Sequence, residues 1–311
     1  MTNKIKNQLV EIQVTDISSR GNGKGEFSLE GHEAPFLAEV PFAIPGDAVE
    51  ARITRKKRGC YQSHLTSLLT PSSERVAPRC AHFGVCGGCR WQQMPYNKQI
   101  EYKERIVHNV FSPLLPKGFT INPAIPCTDL YQYRNKMEYT FSMDQAGERY
   151  LGLIMDSSRG KVLNLQECHL VNPWFTQTLG AVRNWWFKRD LFAYHLFSDR
   201  GSLRTLTLRE GMRSGDRMVI LTVSGNPDFA LSQEDLQSFV DVVRGIAEPK
   251  DPEAKLSVFL RIQQVAKGMP TNFYEMALYG PDHLREYLTV QIDPDQAPRQ
   301  LLFHVSPTAF F

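Results

Sequence analysis

The segment Cys80-Ala81-His82-Phe83-Gly84-Val85-Cys86-Gly87-Gly88-Cys89 constrains this chain more than any other. It puts three thiols on one short loop, and Gly84, Gly87 and Gly88 free the backbone to curl around a small object. Where Cβ atoms are missing, amide N–H groups can approach cluster sulfides. Six cysteines in 311 residues are too sparse for a disulfide framework, whereas three in so short a span suit metal ligation or redox chemistry. A cubane iron–sulfur cluster takes four thiolates. Beyond the loop, Cys168 and Cys127 are candidates for the fourth, with Cys60 behind them. Cys168 stands in Leu165-Gln166-Glu167-Cys168-His169-Leu170, after an apolar run, where a strand end can present it. Zinc is the rival occupant, although its usual paired Cys-x2-Cys pattern occurs here only once. A thioredoxin-like use of Cys86 and Cys89 lacks the helical context that follows such motifs.

The rest of the chain reads as an α+β protein. Its length allows two or three domains, and 42% apolar with 22% charged residues excludes disorder as the default. The polar N-terminus lacks the apolar core of a secretory signal, and no stretch is apolar enough to span a bilayer. The expectation is a cytoplasmic monomer. Residues 1–69 read as a small β-barrel. Val49, Ala51 and Ile53 alternate with polar residues on one strand face, Pro45-Gly46-Asp47 is a turn, and Gly21-Asn22-Gly23-Lys24-Gly25 is a loop. Residues 70–111 hold the cysteine loop and a helix, with Ile100, Ile106, Val107 and Val110 on its apolar side. Residues 112–303 form a mixed, mainly antiparallel α+β domain. Its strand candidates run from Glu138, Leu203, Met218 and Val258, and a helix capped by Ser232 carries Leu236, Phe239 and Val243. Trp185 and Trp186 are core, and residues 304–311 begin a further domain.

Net charge is only +3, so any surface for a polyanion must be local. Arg52, Arg55, Lys56, Lys57 and Arg58 crowd basic charge just before Gly59-Cys60-Tyr61, as at a hairpin tip. Cations would meet phosphates there, and a base could stack on Tyr61. A plain solvated loop is the competing reading. Tyr131-Gln132-Tyr133-Arg134-Asn135-Lys136 mixes aromatics, cations and amides ahead of a strand. No dinucleotide-binding glycine motif, Walker loop or His-Glu-x-x-His occurs.

At Cys80, Cys86 and Cys89 the sequence resembles the cluster-bearing RNA uracil-5-methyltransferases, especially those acting on 23S ribosomal RNA. Residues 1–69 resemble the family's TRAM (OB-like) barrel, Tyr96 to Phe111 its next helix with Gln99 and Lys103 in pattern, and Tyr133-Arg134-Asn135-Lys136 its central motif. The resemblance implies a 4Fe-4S cluster on Cys80, Cys86, Cys89 and Cys168, promoting Cys168 over Cys127. Ser306-Pro307-x-x-Phe310-Phe311 resembles the segment leading into the family's catalytic domain. The resemblance therefore implies that Arg134, Asn135, Lys136 and Phe310 sit near the target nucleotide, with Phe310 in the uracil pocket, beside the RNA contacts read above at Arg52, Arg55, Lys56, Lys57, Arg58 and Tyr61. It also implies an S-adenosylmethionine domain that attacks carbon 6 of a flipped uracil through a cysteine and methylates carbon 5. Neither that cysteine's motif nor the cofactor loop occurs here, so the expectation is an inactive N-terminal portion. The alternative is a stand-alone RNA-binding protein stapled by a cluster or zinc.

Overall fold

The computed structural model describes residues 5–156, 158, 160–265, 270–292 and 295–309. Two compact units divide the chain, residues 1–128 and 129–311. The cysteine loop and its helix therefore share a unit with the barrel, rather than forming a segment apart.

In the first unit, apolar residues alternate with polar ones, so each strand has one face to bury. Strands β1 (Leu9–Ile17), β2 (Gly23–Phe27), β3 (Phe36–Val40), β4 (Ala48–Lys57) and β5 (Cys60–Thr70) close a barrel in the order β1-β2-β3-β5-β4. Neighbours are antiparallel except β3 with β5. Val49, Ala51 and Ile53 fill the interior as the alternation predicts, with Ile12, Val14, Phe27 and Val40. The loop read at residues 21–25 is half strand. A Cβ on Gly25 would lie 2.1 Å from the Gln13 carbonyl oxygen, so glycine there permits the close approach of β1 and β2.

Turn chemistry at Pro45-Gly46-Asp47 does more than reverse the chain. The fully buried Asp47 carboxylate accepts Ile44 N–H at 2.7 Å, Ser72 N–H at 2.9 Å and the Arg75 guanidinium at 2.7 and 2.8 Å. A buried carboxylate is tolerated because its lone pairs are satisfied. The result pins the chain leaving β5, just ahead of the cysteines, to the barrel's 42–47 turn. Helix α1 (Tyr96–Phe111) packs Tyr102 and Ile106 against Ile17, Ile44 and Met94. Its apolar side differs from expectation, for Val107 and Val110 are exposed.

The second unit contains β6 (Lys136–Met143), β7 (Arg149–Ile154), β8 (Val162–Asn164), α2 (Pro173–Phe187), β9 (Leu203–Glu210), β10 (Arg217–Ser224), α3 (Gln233–Ala247), β11 (Leu256–Gln264) and β12 (Asn272–Tyr279). The seven-stranded sheet has the order β12-β11-β10-β9-β6-β7-β8. Among the described strands of this sheet only β10 and β11 pair in parallel, and α3 supplies the crossover that a parallel pair requires. Ser232 caps α3 in a reciprocal capping box with Asp235. Trp186 meets Phe141 edge-on at 5.1 Å and Trp185 meets Phe239 at 5.3 Å, so both tryptophans are core. On the sheet's other face, Met218, Ile220 and Phe259 pack with Leu284 and Val305 of the hairpin β13 (Leu284–Val290) and β14 (Arg299–Val305). A domain boundary at 303/304 would cut through β14. Instead Val305 is buried in this unit, and Ala309 packs on the same cluster.

Candidate nucleic-acid interface and cysteine loop

The β4–β5 hairpin turns at Arg58 and Gly59, with φ of 51° and 82°. Two successive left-handed residues match a tight turn to the strands' twist. The turn pairs Lys57 with Cys60, Lys56 with Tyr61 and Arg55 with Gln62. Arg52, Arg55, Lys56, Lys57 and Arg58 are all exposed. Arg20, on the β1–β2 connection, joins them by donating to the Gln62 side-chain oxygen at 3.1 Å. Nothing in its sequence neighbourhood marks it out, because only the barrel brings it there.

Tyr61 is a correction. It is 3% exposed, with its ring against Phe27 and Phe36 at 5.6 and 5.7 Å. The β5 pleat turns Tyr61 and Ser63 inward together, so the ring is core and not a platform for a base. Lys56 Nζ lies 5.2 Å from its centroid, within cation–π range.

Among the cysteines, Cys86 is buried, Cys60, Cys80, Cys89 and Cys168 are half-buried, and Cys127 is exposed. Gly84 takes φ 89°, and Cys86 N–H closes the loop onto the His82 carbonyl at 2.9 Å. Phe83 stacks edge-on against Phe42 at 5.4 Å, and Cys80 N–H donates to Gln92 Oε1 at 3.1 Å. At the loop's exit, Gln99 donates to the Trp91 and Met94 carbonyls at 3.0 and 2.9 Å, and Trp91 Nε1 donates to the Gly21 carbonyl at 2.7 Å. The Gln99 noted in the sequence thus fixes the loop to its helix.

Among the described residues, no three His, Cys, Asp or Glu side chains converge as a metal-binding group. The loop's donor chemistry nevertheless fits a thiolate-bound cluster. Gly88 N–H donates to Cys86 Sγ at 3.4 Å, the kind of hydrogen bond that tunes cluster sulfurs. Burial pushes the Cys86 thiol up, Gly88 N–H opposes this, and a nearby Cys89 charge adds to the rise.

In the second unit Cys168 lies in the loop that follows β8, which ends at Asn164, rather than at a strand end. Arg183, on α2, donates to the Leu151 and Leu165 carbonyls at 2.8 and 2.7 Å and so fixes the start of its loop. Gln132 N–H donates to the His169 carbonyl at 2.8 Å and Arg134 N–H to that of Leu170 at 2.9 Å. The motif at 131–136 and the Cys168 loop, separate in sequence, therefore run side by side. Arg134 is exposed, Asn135 and Lys136 half-buried, and the strand starts at Lys136. Sheet pairing sets Lys136 opposite Arg209. Burial, then Arg209 and Arg261, lowers the Lys136 ammonium against the opposing pull of Glu138. Arg209 donates to the Ala309 carbonyl at 2.9 Å and Arg261 to that of Pro307 at 2.5 Å. The structure thus adds two arginines that sequence spacing could not associate with Lys136. Phe310 lies outside the described residues.

No family model matches the chain. It is 55% identical over 273 residues to a protein of Protochlamydia amoebophila named an uncharacterized RNA methyltransferase, covering 88% of this chain and 61% of that one. A Chlamydia trachomatis protein of the same description is 38% identical over 237 residues, 75% of this chain and 56% of that protein. The chain is similar to RNA methyltransferases. It spans between half and two thirds of the length of these relatives. A crystal structure of Pyrococcus abyssi tRNA (uracil-54, C5)-methyltransferase in complex with S-adenosyl-L-homocysteine superposes with a TM-score of 0.61 at 18% identity. That match covers 97% of this chain and 60% of the other, so the fold is shared. No described helix is long and apolar enough to cross a membrane.

Proposed function

We propose that these 311 residues are the RNA-holding portion of an S-adenosylmethionine-dependent RNA uracil-5 methyltransferase that acts on 23S ribosomal RNA in the cytoplasm. The observation that carries this reading is the 55% identity, over 88% of the chain, to a protein named an RNA methyltransferase. The shared fold supports it, as does a β4–β5 tip whose exposed cations suit a phosphate backbone. In this reading the barrel is a TRAM domain. The tip grips RNA without reading sequence, because cation–phosphate contacts carry no base information. Arg134, Asn135 and Lys136 lie nearer the target nucleotide, where an amide can read a base edge. S-adenosylmethionine would supply the methyl group for carbon 5 of the uridine. Cys80, Cys86, Cys89 and Cys168 hold a 4Fe-4S cluster with a structural or RNA-positioning role, since methyl transfer needs no electron.

The deciding experiment is deletion of the gene in its host, followed by mapping of 5-methyluridine in ribosomal and transfer RNA. Loss of a 23S site is expected. Loss confined to tRNA would transfer the reading to the substrate class in the Pyrococcus protein's name. An unchanged map would leave the stand-alone RNA-binding reading.

Two further results are expected. Residues 1–311 alone should transfer no labelled methyl from S-adenosylmethionine to either RNA, and transfer by a homogeneous preparation would refute this. Neutralising Arg55, Lys56, Lys57 and Arg58 together should weaken binding to all RNAs. It should also flatten the log–log salt dependence by about 0.7 per lost single-strand contact. Unchanged affinity and slope across a salt series would reduce the tip to a solvated loop.

A further inference from the structure

Among the described residues no Phe, Tyr or Trp is more exposed than Phe197, at 91%, and its neighbour Leu196 is 63% exposed. Both stand on the connection between α2 and β9, at the apex of a turn closed by the antiparallel pair His195 and Arg200. Exposed apolar residues scattered singly need no explanation, but these two sit together on a braced loop. His195 N–H donates to the Arg200 carbonyl at 2.8 Å, and His195 Nδ1 lies 2.9 Å from the Ser198 hydroxyl. Tyr194 donates its hydroxyl to Asp199 Oδ1 at 2.9 Å, and Asn226 Nδ2 donates to the Asp199 carbonyl at 2.9 Å. The Arg204 guanidinium covers the Tyr194 ring, 3.9 Å from its centroid. Gly201, at φ 92°, lets the returning leg press on the outgoing one, for a Cβ there would lie 2.3 Å from the Ala193 carbonyl oxygen. A loop so tied holds its apex side chains in water instead of folding them away.

We propose that this loop is an RNA contact separate from the 131–136 motif, in which the Phe197 ring stacks on an unpaired base and Arg200 meets an adjoining phosphate. The proposal rests on the RNA-holding reading above. The size of the apex argues for a base. Two apolar side chains fall far short of the roughly 800 Å² per partner that a stable protein interface buries. One ring suffices for a base, because every base has a π-face. The charge beside it agrees. Arg200 is exposed, three residues after Phe197, and among the described residues its guanidinium has no hydrogen bond or ion pair. Register separates the loop from the earlier motif. Ala193 bridges to Leu203 at the start of β9, whereas Lys136 lies opposite Arg209 near its end, about 20 Å along the strand. The loop therefore holds RNA that flanks the nucleotide at that motif.

The test titrates the 311-residue chain with a single-stranded oligouridine and with a 23S ribosomal RNA transcript, each across a salt series. Phe197→Ala should lose about tenfold in affinity for both, the order of factor a stacked base contributes. Its salt slope should not change, because no phosphate contact is lost. Phe197→Trp should bind at least as tightly as wild type, with its added emission quenched by RNA. Phe197→Leu, apolar but without a ring, should resemble alanine. Arg200→Gln should flatten the log–log salt slope by about 0.7. These side chains stand in water, so all four variants should unfold at the wild-type temperature. If wild type binds neither probe, the RNA-holding reading fails and the inference falls with it. If wild type binds and Phe197→Ala binds as tightly, the reading stands and the stacking role is overturned. Leucine serving as well as the native ring would overturn it too, since no plane is then needed. Self-association of wild type that Phe197→Ala abolishes, at unchanged RNA affinity, would give the apex to a second copy of the chain and overturn it likewise.

Discussion

Asp216→Ala is expected to destabilise the second unit by about 3 kcal/mol, read as a lower urea midpoint at unchanged slope. Asp216 is 2% exposed and stands just ahead of β10. Its carboxylate accepts Arg285 Nε and Nη2, both at 2.9 Å, together with the backbone N–H of Lys255 at 2.8 Å and of Arg285 at 2.9 Å. Four donors from the starts of β11 and β13 thus converge on one side chain, and the hairpin is docked through it. Alanine would remove the acceptor of all four, leaving Arg285 Nη2 only its bond to the Glu253 carbonyl. The figure belongs at the lower end of the range for broken buried pairs, because the Arg285 side chain is 27% exposed and can partly rehydrate. Burial by itself would raise this carboxyl. The Arg285 guanidinium and the two backbone N–H groups outweigh it and hold the group below the usual carboxylate range. A carboxylate depressed by folding stabilises above its unfolded pKa, about 3.9, and the contribution is lost as pH falls through the lower folded value. The stability gap between wild type and Asp216→Asn should therefore be full at neutral pH and shrink below about pH 4. A gap unchanged down to pH 2 would mean that the ion pair is not its source.

Cys168→Ser should abolish retention of iron and sulfide after anaerobic purification, whereas Cys127→Ser should retain both. A cubane deprived of one of its four thiolates loses a strong bond, and serine replaces it poorly. Cys127 is exposed, and its backbone N–H donates to the Tyr96 hydroxyl at 2.7 Å. Iron and sulfide assays on both variants decide the assignment. Equal loss, or loss at Cys127 alone, would reverse it, and stoichiometric zinc without sulfide in wild type would replace the cluster altogether.

Much of the fold was legible because local patterns and tertiary burial agree in it. In β4 strict alternation left one choice of inner face, and the barrel took it at Val49, Ala51 and Ile53. Ser232 announced α3 because a cap acts within a single turn. Where the reading erred, a neighbour in sequence was taken for a neighbour in function. Tyr61 follows a basic run, yet the pleat that leaves the cations outside turns its ring into the core. Val107 and Val110 have helical spacing, but α1 makes its buried contact through Tyr102 and Ile106.

By itself the sequence determined what acts over a few residues: alternation within strands, the caps and turns, and the curl of a glycine-rich cysteine loop. Only the tertiary structure decided which distant residues meet. It brought Arg20 to the β4–β5 tip and set Arg209 opposite Lys136. It laid the Cys168 loop along residues 132–134 and left the buried Tyr139 hydroxyl without a hydrogen-bond partner. The reason is physical. Alternation and caps depend on dihedral angles a few bonds apart, whereas these encounters depend on strand order and register, which are set by packing the whole sheet at once.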